Sequence, residues 1–151
     1  MPASVGRDVL LEFALAPETA SVGSLAWLIA GMLRDKSIDI SWDTTDTTAD
    51  KSAAFTKSSL VTFKTVEISA TGVAYNDAVH NQQTLEALVA SPGAGTGFQP
   101  KAWFRLTYPN GKTYVGPFIV NKWKNDSPHA DAVTFTFSAM SNGNVVMTPG
   151  S

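Results

Sequence analysis

Residues 101–123 read KAWFRLTYPNGKTYVGPFIVNKW, and this stretch decides the fold class. Apolar side chains occupy every second position from Ala102 to Tyr108, which is the period of a half-buried β-strand. The dipeptide Asn110-Gly111 favours a tight turn, and a second strand-like run returns from Thr113 to Trp123. The stretch therefore predicts an antiparallel β-hairpin.

The remainder of the chain contains two further kinds of strand pattern. Short apolar runs bounded by Pro or Gly are typical of buried strands and cover Val9 to Leu15 and Val22 to Gly31, although the second run is also compatible with a helix. Alternating segments, typical of half-buried strands, are Ser37 to Trp42, Leu60 to Gly72 and Val133 to Ala139, and Val145 to Met147 can form a short return strand. In the Leu60 to Gly72 segment the apolar phase changes, so we expect a bulge or bend near Lys64.

One segment has helical spacing and one has no period. Apolar residues fall close to one helical face between Asn76 and Ala90, and Asn76 or Asp77 can cap the start. Residues 43–59 have Phe55 as their one large apolar anchor, so we expect a long mobile loop that becomes ordered on assembly. The whole chain, residues 1–151, then forms a single domain, a β-sandwich or barrel of about seven antiparallel strands with one flanking α-helix.

Composition argues against several classes of function. The formal net charge of −2 lacks the basic footprint that a protein needs to grip nucleic acid by its phosphates. The chain has no cysteine, so disulfides and thiolate metal sites are excluded. The apolar run from Val22 to Met32 is shorter than the roughly 20 residues that cross a bilayer, so we expect no membrane insertion by this chain.

The sequence also lacks the motifs of catalysis and of cofactor or metal binding. His80 and His129 have no neighbouring pattern of ligands or nucleophiles, and residues 93–97 lack the lysine of a phosphate-binding loop. A calcium loop around Asp43 would need a glycine at its sharp turn and a closing glutamate, and it has neither. We therefore predict no enzyme activity and no cofactor. A sugar-binding module built on the tryptophans is a weaker alternative.

The order of the features along the chain is more specific than any single feature. It runs through the Trp27 to Gly31 strand, the Ser37 to Ser41 strand, the loop start Asp43 to Asp46, the loop end Phe55 to Leu60, the Val66 to Gly72 strand, the single helix, the Tyr108 to Gly111 turn and the closing Asp131 to Thr134 segment. This order resembles the major tail tube proteins of long-tailed, siphovirus-type bacteriophages, whose fold is similar to that of the type VI secretion tube protein.

The resemblance implies a virion structural protein that polymerises as stacked hexameric rings into a tail tube, the conduit for DNA ejection. Its implied partners are further copies of itself and the tail terminator, tape-measure and distal tail proteins, while DNA passes through without specific binding. Its implied location is the virion tail, with assembly in the host cytoplasm. The alternatives are a type VI secretion-type tube protein and a monomeric β-sandwich binding module.

Within that expected architecture we assign two groups of residues by charge and pattern. The segment 35–51 is mainly acidic and the segment 101–124 is basic, so the two could attract each other between subunits. The predicted subunit and ring interface comprises Trp42, Asp43, Asp46, Asp50, Phe55, Lys57, Lys122 and Lys124. The predicted channel-facing residues, neutral or acidic so that DNA does not stick, are Asp39, Ser41, Glu67, Ser69 and Thr71; the alternative is that these five form the outer solvent face.

Overall fold

A computed structural model describes residues 9–30, 33–46, 59–73, 81–129 and 133–150. These residues form eight strands and one α-helix: β1 (Leu10–Ala14), β2 (Leu28–Ile29), β3 (Leu33–Asp46), β4 (Ser59–Val73), α1 (Gln82–Ala90), β5 (Lys101–Thr107), β6 (Thr113–Asp126), β7 (Thr134–Ser141) and β8 (Val146–Thr148). Two short 3-10 helices cover Val22–Ser24 and Ala94–Thr96.

All the strands belong to one antiparallel sheet. Its order is β2-β1-β5-β6-β7-β4-β3, and β8 pairs with the first residues of β6. The mainly β fold with a single described helix confirms the fold class expected from the sequence. The described part of the chain contains eight strands instead of about seven, because the Val145 to Met147 return forms the short strand β8.

The hairpin predicted from residues 101–123 is present as β5 and β6. The two strands pair from Lys101 opposite Ile119 to Thr107 opposite Thr113. The turn is closed by the amide of Gly111, which donates to the carbonyl of Tyr108 over 2.9 Å. Gly111 adopts a φ of 90°, a conformation that glycine reaches without steric cost.

One hydrophobic cluster holds the sheet together. Side chains from β1 at one side of the sheet and from β4 near the other belong to the same buried cluster, so the sheet curls around its own core. The helix α1 covers this core with Leu85 and Leu88. Phe104 lies at the centre, fully buried, with its ring centroid 5.6 Å from that of Phe118 and 6.0 Å from that of Phe137.

The aromatic core continues along the second half of β6, beyond the end of β5. The ring of Trp123 stacks on Phe135 at 5.1 Å and on Phe137 at 5.6 Å between centroids. This stacking fixes the pairing of β6 with β7 where β5 no longer supports β6.

The helix begins later than the sequence indicated. Asn81 has a left-handed φ of 58° and immediately precedes the first helical residue, so the helix starts at Gln82 and not at Asn76. The side-chain amide of Gln82 donates to the carbonyl of Val73 over 2.9 Å, which ties the helix start to the end of β4. Residues 76–80, including both predicted caps and His80, lie outside the described residues.

Three other expectations from the sequence are corrected. The run Val22 to Gly31 was expected to be a buried strand, but it contains a 3-10 turn followed by the two-residue strand β2, and both Val22 and Ile29 are exposed. The predicted loop 43–59 is shorter, because residues 43–46 continue β3 and Ser59 begins β4. Residues 47–58 lie outside the described residues, so their expected mobility stays a prediction. Ile40 and Trp42 were expected on a half-buried face, but both are exposed because the core ends before them.

We expect the substitution Phe104→Ala to destabilise the monomer by about 3–5 kcal/mol, since it empties the centre of the aromatic core. The matched control is Phe63→Ala, because Phe63 is 72% exposed and its truncation should change monomer stability by less than about 0.5 kcal/mol. Chemical denaturation of the monomer measures both values. Equal effects of the two substitutions would contradict the core assignment.

Candidate assembly surfaces

The outer ends of β3 and β4 project beyond the rest of the sheet. The strand β7 pairs with β4 only along residues 67–73, so residues 59–65 of β4 have β3 as their strand partner. We call residues 40–46 and 59–65 the arm. Its last described pair is Asp46 opposite Ser59.

The arm contains the irregularity that the sequence predicted. Trp42 pairs with Lys64, but the next pair is Thr44 with Val61, so β4 carries one more residue than β3 at this point. The predicted bulge near Lys64 is confirmed. A bulge of this kind bends a strand and increases its local twist.

The arm exposes several large apolar side chains. Phe63 is 72% exposed and Trp42 51% exposed, and the others are Ile40, Leu60 and Val61. Single exposed apolar residues are ordinary, but here five come from two short paired strands. By alternation Ile40, Trp42 and Val61 lie on one face of the arm and Leu60 on the other, so both faces offer apolar contact area.

Lys64 connects the base of the arm to the turn after β7. Its ammonium lies 6.0 Å from the centroid of the Trp42 ring and donates to the side-chain oxygen of Asn144 and to the carbonyl of Val145. These contacts hold the root of the arm, whereas for its outer part the described residues show the β3–β4 ladder and a hydrogen bond from the Thr62 hydroxyl to the carbonyl of Asp43 over 3.2 Å.

A second surface is the polar face of the sheet, on the side away from the core. On β4 the buried residues Val66 and Ile68 alternate with Glu67, Ser69 and Thr71. Their partners on β3 belong to the same face and are Asp39, Ser37 and Asp35, respectively, with Ser41 one step further along. The five predicted channel-facing residues therefore share one face of the sheet.

The polar face continues over β7 and β6. The hydroxyls of Thr71 and Thr136 lie 3.3 Å apart, and Ser138 donates to the side-chain oxygen of Asn121 over 3.2 Å. Opposite Ser138 and Thr136 on β6 lie Lys122 and Lys124, both exposed. Hence the two lysines assigned to the interface lie on the same face as the residues assigned to the channel.

Sequence reasoning missed this placement of the two lysines because it depends on a bulge. The register of β6 against β7 shifts between Val120 and Lys122, so Asn121 is an extra residue. The shift turns Trp123 toward the core and the flanking lysines away from it. The available signal was the apolar phase of β6, which changes between Val120 and Trp123.

Charge on the polar face is divided between its two sides. Asp35, Asp39 and Glu67 lie on β3 and β4, while the two lysines lie on β6. Lys124 also forms an ion pair with Asp126, 3.6 Å away on the same strand. Lys36 lies opposite Ala70 on the core side of β3, so it is on the other side of the sheet from these acids. Partial burial there lowers the pKa of its amine.

Both sides of the polar face end in strand edges without a described partner. Along its whole length β3 pairs only with β4, and β6 loses β5 after Ile119, so residues 121–126 pair only with β7 among the described strands. Unpaired edges of this kind template the addition of another strand.

The other predicted interface residues fall into two groups. Trp42, Asp43 and Asp46 lie on the arm, and within one subunit β4 and β7 separate β3 from the lysines of β6. Asp50, Phe55 and Lys57 lie outside the described residues.

Among the described residues, no group of three or more His, Asp or Glu could hold a metal ion. Among the same residues no helix is long and apolar enough to cross a membrane.

Comparison with known proteins gives one family and several structural relatives. A family model described as phage tail tube protein matches residues 3–147. A search of curated protein sequences finds no match.

Among solved structures, the fold is similar to a chain in the tail of an empty gene transfer agent particle refined with C6 symmetry, with a TM-score of 0.72, 21% identity, and coverage of 97% of this chain and 100% of the other. It is also similar to the SPP1 tail tube, with a TM-score of 0.63, 14% identity, and coverage of 97% of this chain and 79% of the other. A sheath–tube complex of an extracellular contractile injection system gives a TM-score of 0.59 at 13% identity, with coverage of 97% and 91%.

We expect the two halves of β4 to exchange their amide hydrogens at different rates in the monomer. Amides of residues 60–65 should exchange at least about tenfold faster than those of 67–73, because among the described strands one ladder protects the arm, whereas two ladders and the buried cluster protect residues 67–73. Hydrogen exchange with mass spectrometry on the monomer measures the difference. Equal protection along the whole of β4 would show that the arm is held as firmly as the core.

Proposed function

Because the chain belongs to the phage tail tube protein family and is a structural component of the virion tail, we propose that it polymerises as stacked hexameric rings through its two unpaired strand edges. The observation that carries this proposal is that both edges belong to the same polar sheet. The hexameric number is supported by the C6 symmetry of the gene transfer agent tail.

Strand direction makes ring closure by rotation possible. The polar sheet has the order β6-β7-β4-β3, and every neighbouring pair is antiparallel. With four alternating strands, β6 of one subunit therefore meets β3 of the next in antiparallel orientation. Repeating this junction joins the sheets of all subunits into one barrel and supplies partners to both edges.

The polar face then lines the channel of the barrel. The opposite face of the same sheet is occupied by the core cluster, so it cannot face a lumen. Asp39, Ser41, Glu67, Ser69 and Thr71 thus become channel-facing. DNA passes without specific binding along a surface of hydroxyls and acids that carries Lys122 and Lys124 at its β6 margin.

The arm provides the contact between stacked rings. Stacking is a heterologous interface, in which different patches meet and the assembly continues as a filament. The exposed apolar side chains of the arm, with Trp42, Asp43 and Asp46 beside them, supply such a patch. Asp50, Phe55 and Lys57 would extend it.

The further partners follow from this role. They are the tail terminator, tape-measure and distal tail proteins, with assembly of the subunits in the host cytoplasm. The tube role requires no catalytic activity. The family match supports a phage tail tube over a type VI secretion tube, and a sheet with two open edges argues against a monomeric β-sandwich binding module.

Electron microscopy of the purified protein tests the proposal directly. We expect hollow tubes with a sixfold cross-section, or their appearance once assembly is triggered by concentration. A protein that stays monomeric at high concentration, in the presence of a preassembled tail tip as well as alone, would overturn it.

We expect Phe63→Asp to raise the critical concentration for tube formation by about tenfold or more, since it removes apolar contact area worth roughly 1.5–3 kcal/mol. The control is Phe98→Asp, because Phe98 is 69% exposed but lies in the connection after α1. Sedimentation and microscopy measure both variants, and circular dichroism shows that both fold. Equal loss of tubes in the two variants would remove the special role of the arm.

A further inference from the structure

We propose that Lys122 and Lys124 of one subunit form cross-strand ion pairs with Asp35 and Asp39 of the next subunit, on the channel side of the ring junction. We call this junction the seam. The proposal rests on the proposed function, because it needs rings in which β6 meets β3. It adds which side chains set the register between neighbouring subunits and which acids keep the lysines from binding DNA.

The four residues occupy the two margins of the polar face. Asp35 pairs with Thr71 and Asp39 with Glu67 on the β3 margin. The lysines lie on the β6 margin, with β7 and β4 between the two sides. Within one subunit the opposite charges are thus separated by the width of the sheet, and they come together only when a second copy is added at the edge.

The charges also restrict the register of β6 against β3 of the next subunit. If the rows of the two sheets continue in line, Lys124 lies opposite Asp35, and Lys122 lies diagonally between Asp35 and Asp39. A slide by two residues in one direction places Lys122 opposite Asp35. The opposite slide places Lys122 opposite Asp39 but sets Asp126 against Asp35, and this like-charge contact disfavours that register. The charges therefore bias the seam toward a narrow set of registers.

The seam also provides acidic partners for the lysines that face the channel. A lysine facing the lumen without an acidic partner would bind phosphate and slow the passage of DNA. Of the two lysines, Lys124 already has Asp126 beside it at 3.6 Å, with both side chains more than half exposed. The acids across the seam add a partner for Lys122, so the ring needs no bare cation on its inner wall.

The strength of the seam comes from repetition. Exposed ion pairs are individually weak and are screened by salt. Each ring repeats the pairs at every junction, so a small effect per pair becomes a measurable change in assembly. The backbone ladder of the seam and the arm contacts between rings provide the remaining affinity. The ion pairs favour the register in which neighbouring subunits join.

The test uses charge reversal in the full-length chain. The variant Lys122→Glu with Lys124→Glu should raise the critical concentration for tubes by about tenfold at about 50 mM salt, and by less at higher salt. The control Lys101→Glu with Lys112→Glu has the same change in net charge, but its residues lie at the start of β5 and in the turn before β6, away from the seam, and it should assemble nearly as the wild type.

Rescue identifies the partner. Adding Asp35→Lys and Asp39→Lys to the double lysine variant should restore assembly, whereas adding Asp43→Lys and Asp46→Lys on the arm should not. Equal rescue by the arm substitutions would overturn the seam and assign the lysines to the acidic arm. Wild-type protein that forms no tubes would instead contradict the proposed function, so the two failures are distinguishable.

A second readout follows the channel itself. Tubes of Asp35→Asn with Asp39→Asn should retain double-stranded DNA in a sedimentation assay at least about fivefold more than wild-type tubes, because their lysines lack partners. Failure of this variant to assemble also supports the seam. Tubes that form normally and retain no more DNA than the wild type would overturn it.

Discussion

Strand edges must find hydrogen-bond partners, and the architecture of this chain depends on how its edges meet that requirement. One edge strand of the sheet, β2, is only two residues long and therefore presents few unpaired backbone groups. The other edge, β3, has 14 residues and, like the second half of β6, has no second partner among the described strands. The fold is complete as a core but incomplete as a sheet. In the proposed assembly, further copies supply the missing ladder.

The bulge at Asn121 links the core to this assembly. Before it, β6 belongs to the β5–β6 hairpin and presents Phe118 and Val120 to the core. After it, the same strand joins β7 and presents lysines on the polar face, while Trp123 maintains aromatic packing behind them. One extra residue thus lets a single strand serve both a structural hairpin and an assembly edge.

Local chemistry in the sequence predicted much of the fold but little of the site. Asn110-Gly111 was sufficient for the hairpin, and the alternation around Val66 was sufficient to identify the polar face, because turns and period-two patterns are local properties. The exposure of Ile40 could not be predicted, since alternation identifies a face but not whether another element covers it. The position of Lys122 depends on a register shift against a strand distant in sequence.

The arm also gives polymer growth a threshold. An isolated subunit carries an exposed apolar hairpin held by one ladder, and the first ring must form before that hairpin has a layer to contact. A subunit that joins an existing ring gains the seam and the stacking contact together. On the proposed assembly we expect growth from a preformed end to be fast and spontaneous initiation to be rare, with a lag phase. We expect this kinetic barrier to confine tube growth in the virion to the site where a nucleus is provided.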